Sequence, residues 1–330
     1  MGWEMLLAAV IAFFIAALSG KIVIPYLIKL KFGQSILEIG PKWHMAKQGT
    51  PTMGGIMFII ASGITTLLVG IPLMMGGDFR HIIVFAFALA FGVIGFIDDY
   101  AKVVRKQNQG LSALQKLLLQ LAVSAVFLSV LRLLGDFKPE LFIPFTDITL
   151  HIPWIPYLII MIFVIVGAVN AVNLTDGIDG LATCVTMPVA IFFMVMSALL
   201  AMPSMGIFSA ALLGALAGFL IYNFNPAKVF MGDTGSLFLG GAVCGLAFAF
   251  DMPLILLPVG IIYIVETLSV ILQVTYFKIT HGKRLFKMAP IHHHLEIKGW
   301  NERKICAVFT LITIVGAAIA VFGARARYPF

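Results

Sequence analysis

The strongest constraint on this chain of 330 residues is its alternation of long apolar runs with short polar connections. Ten runs can be marked, at 3–19, 53–71, 81–97, 114–134, 154–172, 180–201, 205–222, 235–250, 253–274 and 305–323. Each approaches or reaches the ~20 residues that a helix needs to cross the hydrocarbon core of a bilayer. Backbone inside lipid has to satisfy its own N–H and C=O groups, so runs of this length fold as helices. The expected fold class is therefore all-α, a polytopic membrane protein with about ten transmembrane helices read as one domain over residues 1–330. Charge agrees: 11% of residues are charged, against roughly 25% in a soluble domain. The first run is read as a span, because no basic leader or small-residue cleavage pattern accompanies it and Lys21 follows it.

Ten spans place both termini on one side and the odd-numbered connections on the other. Lys and Arg choose the sides. The odd connections hold 17 of the 22 basic residues: Lys21, Lys29, Lys31, Lys42 and Lys47, then Lys102, Arg105, Lys106 and Lys116, then Lys228, then Lys278, Lys283, Arg284, Lys287, Lys298, Arg303 and Lys304. The opposite side keeps Arg80, Arg132, Lys138, Arg325 and Arg327. Odd connections are therefore expected in the cytoplasm, with both termini external. The cysteines Cys184, Cys244 and Cys306 lie far apart in apolar runs, which suits buried small residues better than disulfides or zinc.

The polar motifs sit in those same odd connections. Asn170-Ala-Val-Asn-Leu-Thr-Asp-Gly-Ile-Asp-Gly-Leu181 packs two Asn, two Asp and a Thr between two spans. Helix capping by Asp176 or Asp179 would explain one carboxylate, not the whole set. Asp98-Asp99 is expected at the C-terminal end of the third span, where two carboxylates oppose the helix dipole and each other. A metal ion or the cations Lys102, Arg105 and Lys116 would compensate them; a solvated boundary pair is the bland alternative. Phe230-Met-Gly-Asp-Thr-Gly-Ser236 opens the eighth span with glycines that suit phosphate at a helix start. Asp233 there is either a cap or an oxygen ligand for Mg²⁺.

Three further features complete the set. Lys47-Gln-Gly-Thr-Pro-Thr-Met-Gly-Gly55 has the cation, hydroxyls and glycines of an anion clamp, or is simple helix punctuation. Pro290-Ile-His-His-His-Leu-Glu296 lacks spaced partners for zinc, and hydrogen bonding to phosphate or sugar suits it better. Glu266 lies within the ninth span, where an ionisable group faces either the protein interior or, by snorkelling, the surface. Five boundary motifs on one face, a side fixed independently by Lys and Arg, describe a site for phosphate or diphosphate chemistry.

At these residues the chain resembles the polyprenyl-phosphate N-acetylhexosamine-1-phosphate transferase superfamily. Pro51-Thr-Met-Gly-Gly55 and Pro290-Ile-His-His-His-Leu-Glu296 resemble, in particular, the phospho-N-acetylmuramoyl-pentapeptide transferases. The resemblance implies transfer of phospho-MurNAc-pentapeptide from its UDP donor to undecaprenyl phosphate, giving lipid I and UMP, with Mg²⁺ as cofactor. It implies a bacterial inner-membrane enzyme, commonly a homodimer, with a cytoplasmic cleft and no nucleic-acid partner. By the same resemblance Asp98, Asp99, Asp233 and His292 are the catalytic candidates, with Asp233 the metal ligand. The substrate-binding candidates are Lys47, Thr52, Lys116, Asn173, Asp176, Asp179, Phe230, Gln273 and His293, with Phe230 as a stacking surface for the nucleoside. An enzyme of the same superfamily acting on UDP-GlcNAc is the nearest alternative. A membrane transporter, which would gather polar groups near the midplane, fits the one-sided motifs poorly.

Overall fold

The computed structural model describes residues 2–30, 47, 49–105, 110–135, 138–146 and 148–328. Lys31, Lys42 and Lys106, counted above as basic residues of the connections, lie outside the described residues. Among the described residues, ten helices are long and apolar enough to cross a membrane. They are α1 (Trp3–Lys29), α2 (Gly55–Met75), α3 (Arg80–Arg105), α4 (Ala113–Leu133), α5 (Trp154–Thr175), α6 (Leu181–Leu199), α7 (Pro203–Asn223), α8 (Gly232–Ala249), α10 (Ile261–Ile279) and α12 (Glu302–Arg325). Two short helices complete the set, α9 (Leu256–Val259) before α10 and α11 (Ile291–Ile297) before α12. A small antiparallel hairpin, β1 (Glu140–Phe142) and β2 (Thr149–His151), pairs Leu141 with Leu150 between α4 and α5.

The helices sort into an inner group and a lipid-facing ring. Most of α6, α7 and α8 is covered by protein, whereas α1, α4 and α10 expose most of their surface. Lipid is as apolar as leucine, so the inner helices associate through close approach rather than through a hydrophobic drive. Small residues supply that approach. Gly214 and Gly218 set α7 against the α1 backbone at Ala9 and Phe13, and Gly241 and Gly245 set α8 against Ala88, Phe91, Val84 and Phe87 of α3. Exposed Leu, Ile, Val and Phe on the outer ring, such as Phe14, Leu118, Ile271 and Ile314, then meet acyl chains instead of water.

Three expectations about element ends are corrected. Helix α1 runs on to Lys29, through Pro25, so Lys21 and Lys29 belong to the helix and not to the first connection. Helix α3 continues to Arg105, which places Asp98 and Asp99 inside it and not at its end. The dipole penalty argued for a terminal pair is thus replaced by an i,i+4 partner: Lys102 Nζ lies 2.7 Å from Asp98 Oδ2. The ninth run, read as one span over 253–274, is not one helix. A 3₁₀ turn at Pro253–Ile255 and α9 precede a break at Gly260, two residues past Pro258, and α10 carries the span to Ile279. Gly260, whose N–H closes α9 on the Leu256 carbonyl and whose carbonyl opens α10 by accepting from Ile264, separates the two segments.

Candidate active site

The end of the bundle where α3 and α4 meet, and where α8 starts, holds the charged centre. Helices α3 and α8 cross so closely that Gly95 abuts the backbone of Asp233, with no room for a side chain at that position. This contact brings Asp98 and Asp99 of α3 beside Asp233 of α8. Ligand oxygens of the three carboxylates lie within 4.8 Å of one another. Two ammonium groups face them. Lys102 Nζ is 2.9 Å from Asp233 Oδ2 and 3.7 Å from Asp99 Oδ1. Lys116 Nζ, from α4, is 2.9 Å from Asp233 Oδ2 and 3.8 Å from Asp98 Oδ2.

Local sequence explains why these side chains hold still. Helix α4 starts with a capping box, in which Ser112 Oγ accepts from the Gln115 N–H and Gln115 returns a bond to the Ser112 N–H. Lys116 follows directly. Asp98 Oδ1 accepts from the Leu111 N–H at 2.8 Å, tying α3 to that same start. Asp99 Oδ2 accepts from both the N–H and the Oγ1 of Thr234, at 2.9 and 2.7 Å. Gly232 opens α8 at φ 69°, and a side chain there would strike Asp99 Oδ2 and Thr52 Oγ1. Asp233 Oδ1 accepts from Asn173 Nδ2 at 2.9 Å, and the same amide donates to Ser236 Oγ. Three carboxylates against two lysines leave the cluster with an excess of hard oxygen donors, a set that suits a divalent cation such as Mg²⁺.

A second polar group lies alongside, built from the connection between α5 and α6. Lys47 Nζ is 2.7 Å from Asp179 Oδ1 and 2.6 Å from Glu302 Oε1. Asp179 Oδ2 accepts from Asn225 Nδ2 and the Ala227 N–H, while Glu302 Oε2 takes the Asp179 N–H. The capping role considered for Asp176 and Asp179 is corrected here. Helix α6 starts at Gly180 in the left-handed region, with no side-chain cap, and Asp176 instead follows the last residue of α5. Asp176 is half-buried and lies near Asp233, Asp99 and Asp179. Burial first, and then those like charges, push its carboxyl well above the usual range.

The remaining sequence candidates fall around these two groups. Phe230 bonds through its backbone to Pro51 and Gly54, which lays the Lys47–Gly55 motif along the approach to α8. His292 is fully buried, its Nδ1 at 3.0 Å from Oε2 of Glu266, with angles that do not make a hydrogen bond. Gly177 leaves the room that the His292 ring occupies. Glu266 therefore points inward and does not snorkel. His293 pairs with Glu296 at 2.7 Å, and His294 Nδ1 accepts from the Lys287 N–H. Gln273 Oε1 takes the N–H groups of Leu285 and Phe286, so it holds the connection before α11. Sequence reading missed Glu302, Asn225 and Ser236. Of these only Glu302, an acid in the first turn of α12, carries a signal, and that signal is the ordinary one of helix-dipole stabilisation.

Comparison with known proteins agrees with this geometry. The family model for glycosyl transferase family 4 matches residues 81–251, which include Asp98, Asp99, Asn173, Asp176, Asp179 and Asp233. The phospho-N-acetylmuramoyl-pentapeptide-transferase signature 1 matches residues 47–59. The chain is 50% identical over 325 residues to a phospho-N-acetylmuramoyl-pentapeptide-transferase of Clostridium perfringens, covering 96% of this chain and 98% of that protein. It is 47% identical over 318 residues to the Clostridium kluyveri protein of that name, covering 95% and 97%. A Staphylococcus carnosus protein of the same name is 45% identical over 317 residues, covering 95% and 97%. With likeness this high over nearly the whole length, the chain belongs to the phospho-N-acetylmuramoyl-pentapeptide transferase family.

Proposed function

We propose that the chain transfers phospho-MurNAc-pentapeptide from UDP-MurNAc-pentapeptide to undecaprenyl phosphate, releasing UMP and forming lipid I. The observation that carries this reading is the meeting of Asp98, Asp99, Asp233, Lys102 and Lys116 at the membrane-boundary end of α3, α4 and α8. An oxygen of the lipid phosphate attacks the sugar-linked phosphorus of the donor diphosphate. The bond from that phosphorus to the UMP oxygen breaks, and UMP leaves with the electron pair. Asp233, with Asp98 and Asp99 in reach, would hold Mg²⁺, whose charge offsets the repulsion between two anionic reactants. Lys102 and Lys116 change partners from carboxylate to phosphate as substrate enters, and so stabilise charge spreading over the transferred group. Asp98 receives the proton of a protonated lipid phosphate and makes no covalent bond, because the lipid supplies its own attacking oxygen. The Lys47–Asp179–Glu302 group, with Asp176 and Phe230, receives the uridine end of the donor, and α11 with His292 and His293 closes over it.

The cation bias supports a cytoplasmic position for this end of the bundle, and the bacterial relatives support an inner-membrane enzyme. Two copies pairing through exposed helices suit the apolar outer ring. The test is UMP release by purified protein given both substrates, with and without Mg²⁺, and with UDP-GlcNAc as an alternative donor. Turnover with the MurNAc-pentapeptide donor alone, abolished by chelation, is the result expected. Turnover with UDP-GlcNAc would redirect the reading to another branch of the superfamily. Stoichiometric UMP release without lipid phosphate, leaving label on Asp98, would replace direct attack with a phospho-enzyme.

A further inference from the structure

Asn170 opens the most polar motif of the chain, yet its side chain bonds elsewhere than to the carboxylate cluster. Its amide donates to Gln120 Oε1 at 2.7 Å and to the Val166 carbonyl at 2.8 Å. Gln120 Nε2 in turn faces Asn170 Oδ1 at 3.5 Å, so two amides clasp each other between α4 and α5. Gln120 is almost fully buried and stands four residues after Lys116 on α4, a step of ~6 Å along the helix. Asn170 stands three residues before Asn173 on α5. Each helix therefore sends one group to Asp233 from the turn beside the clasp. Lys116 Nζ donates to Asp233 Oδ2 and Asn173 Nδ2 donates to Asp233 Oδ1, both at 2.9 Å.

Helix α4 needs such a fixing point. It belongs to the lipid-facing ring, and lipid competes evenly with apolar side chains, which leaves its rotation against α5 weakly specified. Two polar contacts join the two helices. One is the clasp; the other, about three turns further along α4, sets Arg132 over the Trp154 ring at 4.3 Å. An amide inside a membrane bundle is costly unless paired, and a second amide offers a donor and an acceptor in matching places. Simple adhesion between helices would be served by such a pair at any level. This pair stands one turn from both partners of Asp233. Asn173 is held from α8 as well, by donating to Ser236 Oγ at 2.7 Å. Among the described residues Lys116 Nζ has only its ionic contacts to Asp98 and Asp233. A rotation of α4 that opened the clasp would therefore draw Lys116 from the cluster and leave Asn173 in place.

Resting on the phosphoryl-transfer reading above, we propose that Gln120 and Asn170 are positioning residues for the reaction: their clasp fixes α4 on α5 and so holds Lys116 where the transferred phosphate arrives. The full chain in detergent is assayed for UMP release, for donor affinity by calorimetry, and for its thermal midpoint. Gln120→Leu lowers kcat by about 10–100-fold, the effect of a misplacement near 1 Å. Donor affinity stays nearly unchanged, because the Lys47–Asp179–Glu302 group is built from elements other than α4. The same variant strands the Asn170 amide and lowers the midpoint. Gln120→Leu with Asn170→Leu strands nothing, so the midpoint recovers while kcat stays low. Gln120→Asn with Asn170→Gln keeps an amide on each helix and regains much of the lost kcat. Arg132→Leu, which removes the far contact, leaves kcat at the wild-type level. A double leucine variant as fast as wild type reduces the clasp to adhesion and overturns the proposal. Arg132→Leu as slow as Gln120→Leu overturns it too, as does a stable exchanged pair with no regain in kcat. Wild type that releases no UMP when given both substrates and Mg²⁺ would instead overturn the functional reading, before any variant is compared.

Discussion

Asp233 is the residue on which two lysines, one asparagine and two further carboxylates converge. Asp233→Asn keeps the shape and the position in the first turn of α8 but removes the charge that a divalent ion needs. Loss of one preorganised electrostatic group costs about 10²–10³-fold in kcat, and a Mg²⁺ titration of UMP release by the variant checks it. A titration curve like that of wild type would reduce Asp233 to a structural residue. Asp176 makes the opposite demand on the fold. Its carboxyl is held well above the usual range by burial and by Asp233, Asp99 and Asp179. A raised folded-state value means that the protonated form suits the native state. Stability from this group is therefore full below the unfolded value near 4, and is lost as pH rises through the folded value. Asp176→Asn should raise the thermal midpoint at neutral pH by about 2–4 °C for each kcal/mol of relieved repulsion, while weakening donor binding. A gain that vanishes at low pH, where wild type is already neutral there, identifies the mechanism; a fall in midpoint at neutral pH contradicts it.

At the scale of elements, the apolar runs made the helices legible because lipid permits little else. The polar motifs were legible because their residue types are costly at a membrane boundary unless used. What sequence could not supply was where helices continue beyond their apolar stretch. Helix α3 passes Asp98-Asp99 because Lys102 and the Leu111 and Thr234 N–H groups satisfy the pair, partners distant in the chain or hidden in its helical spacing. Gln273 shows a related gap, since its role in holding the Leu285–Phe286 backbone appears only in three dimensions. Gly232 tests how strictly α8 must start. At φ 69°, Gly232→Ala adds backbone strain of about 1–2 kcal/mol and drives a methyl against Asp99 and Thr52. UMP release should fall by at least about tenfold, with helicity by circular dichroism unchanged; full activity would mean that Asp99 and Thr52 move freely. The Glu266–His292 contact joins α10 to α11 inside the bundle. Glu266→Ala removes a fully buried side chain beside His292 and should cost about 2–5 kcal/mol through the cavity it leaves, whereas Glu266→Gln keeps the volume and should cost less. Thermal unfolding in detergent orders the two variants, and an equal midpoint for both would show that the contact carries no stability.

At the scale of the whole molecule, one end of the bundle collects the carboxylates, most cations and the long connections, and the other is comparatively plain. The two faces follow from the same cost, because charge crosses a bilayer only reluctantly and basic residues are retained on the cytoplasmic side. The last prediction concerns this polarity. Lys283, in the connection between α10 and α11, and Lys138, before β1, are both exposed and lie at opposite ends. Cys244 and Cys306 are buried and Cys184 is partly exposed, so Cys184→Ala gives a background with little native labelling. In that background Lys138→Cys should react with a membrane-impermeant maleimide in right-side-out vesicles, and Lys283→Cys only in inside-out vesicles. The reversed pattern would put the carboxylate cluster on the outer face, out of reach of a cytoplasmic nucleotide donor. Labelling of both positions from one side would require an even number of crossings between them, in place of the five spans α5, α6, α7, α8 and α10, and α5 through α10 would have to be traced again.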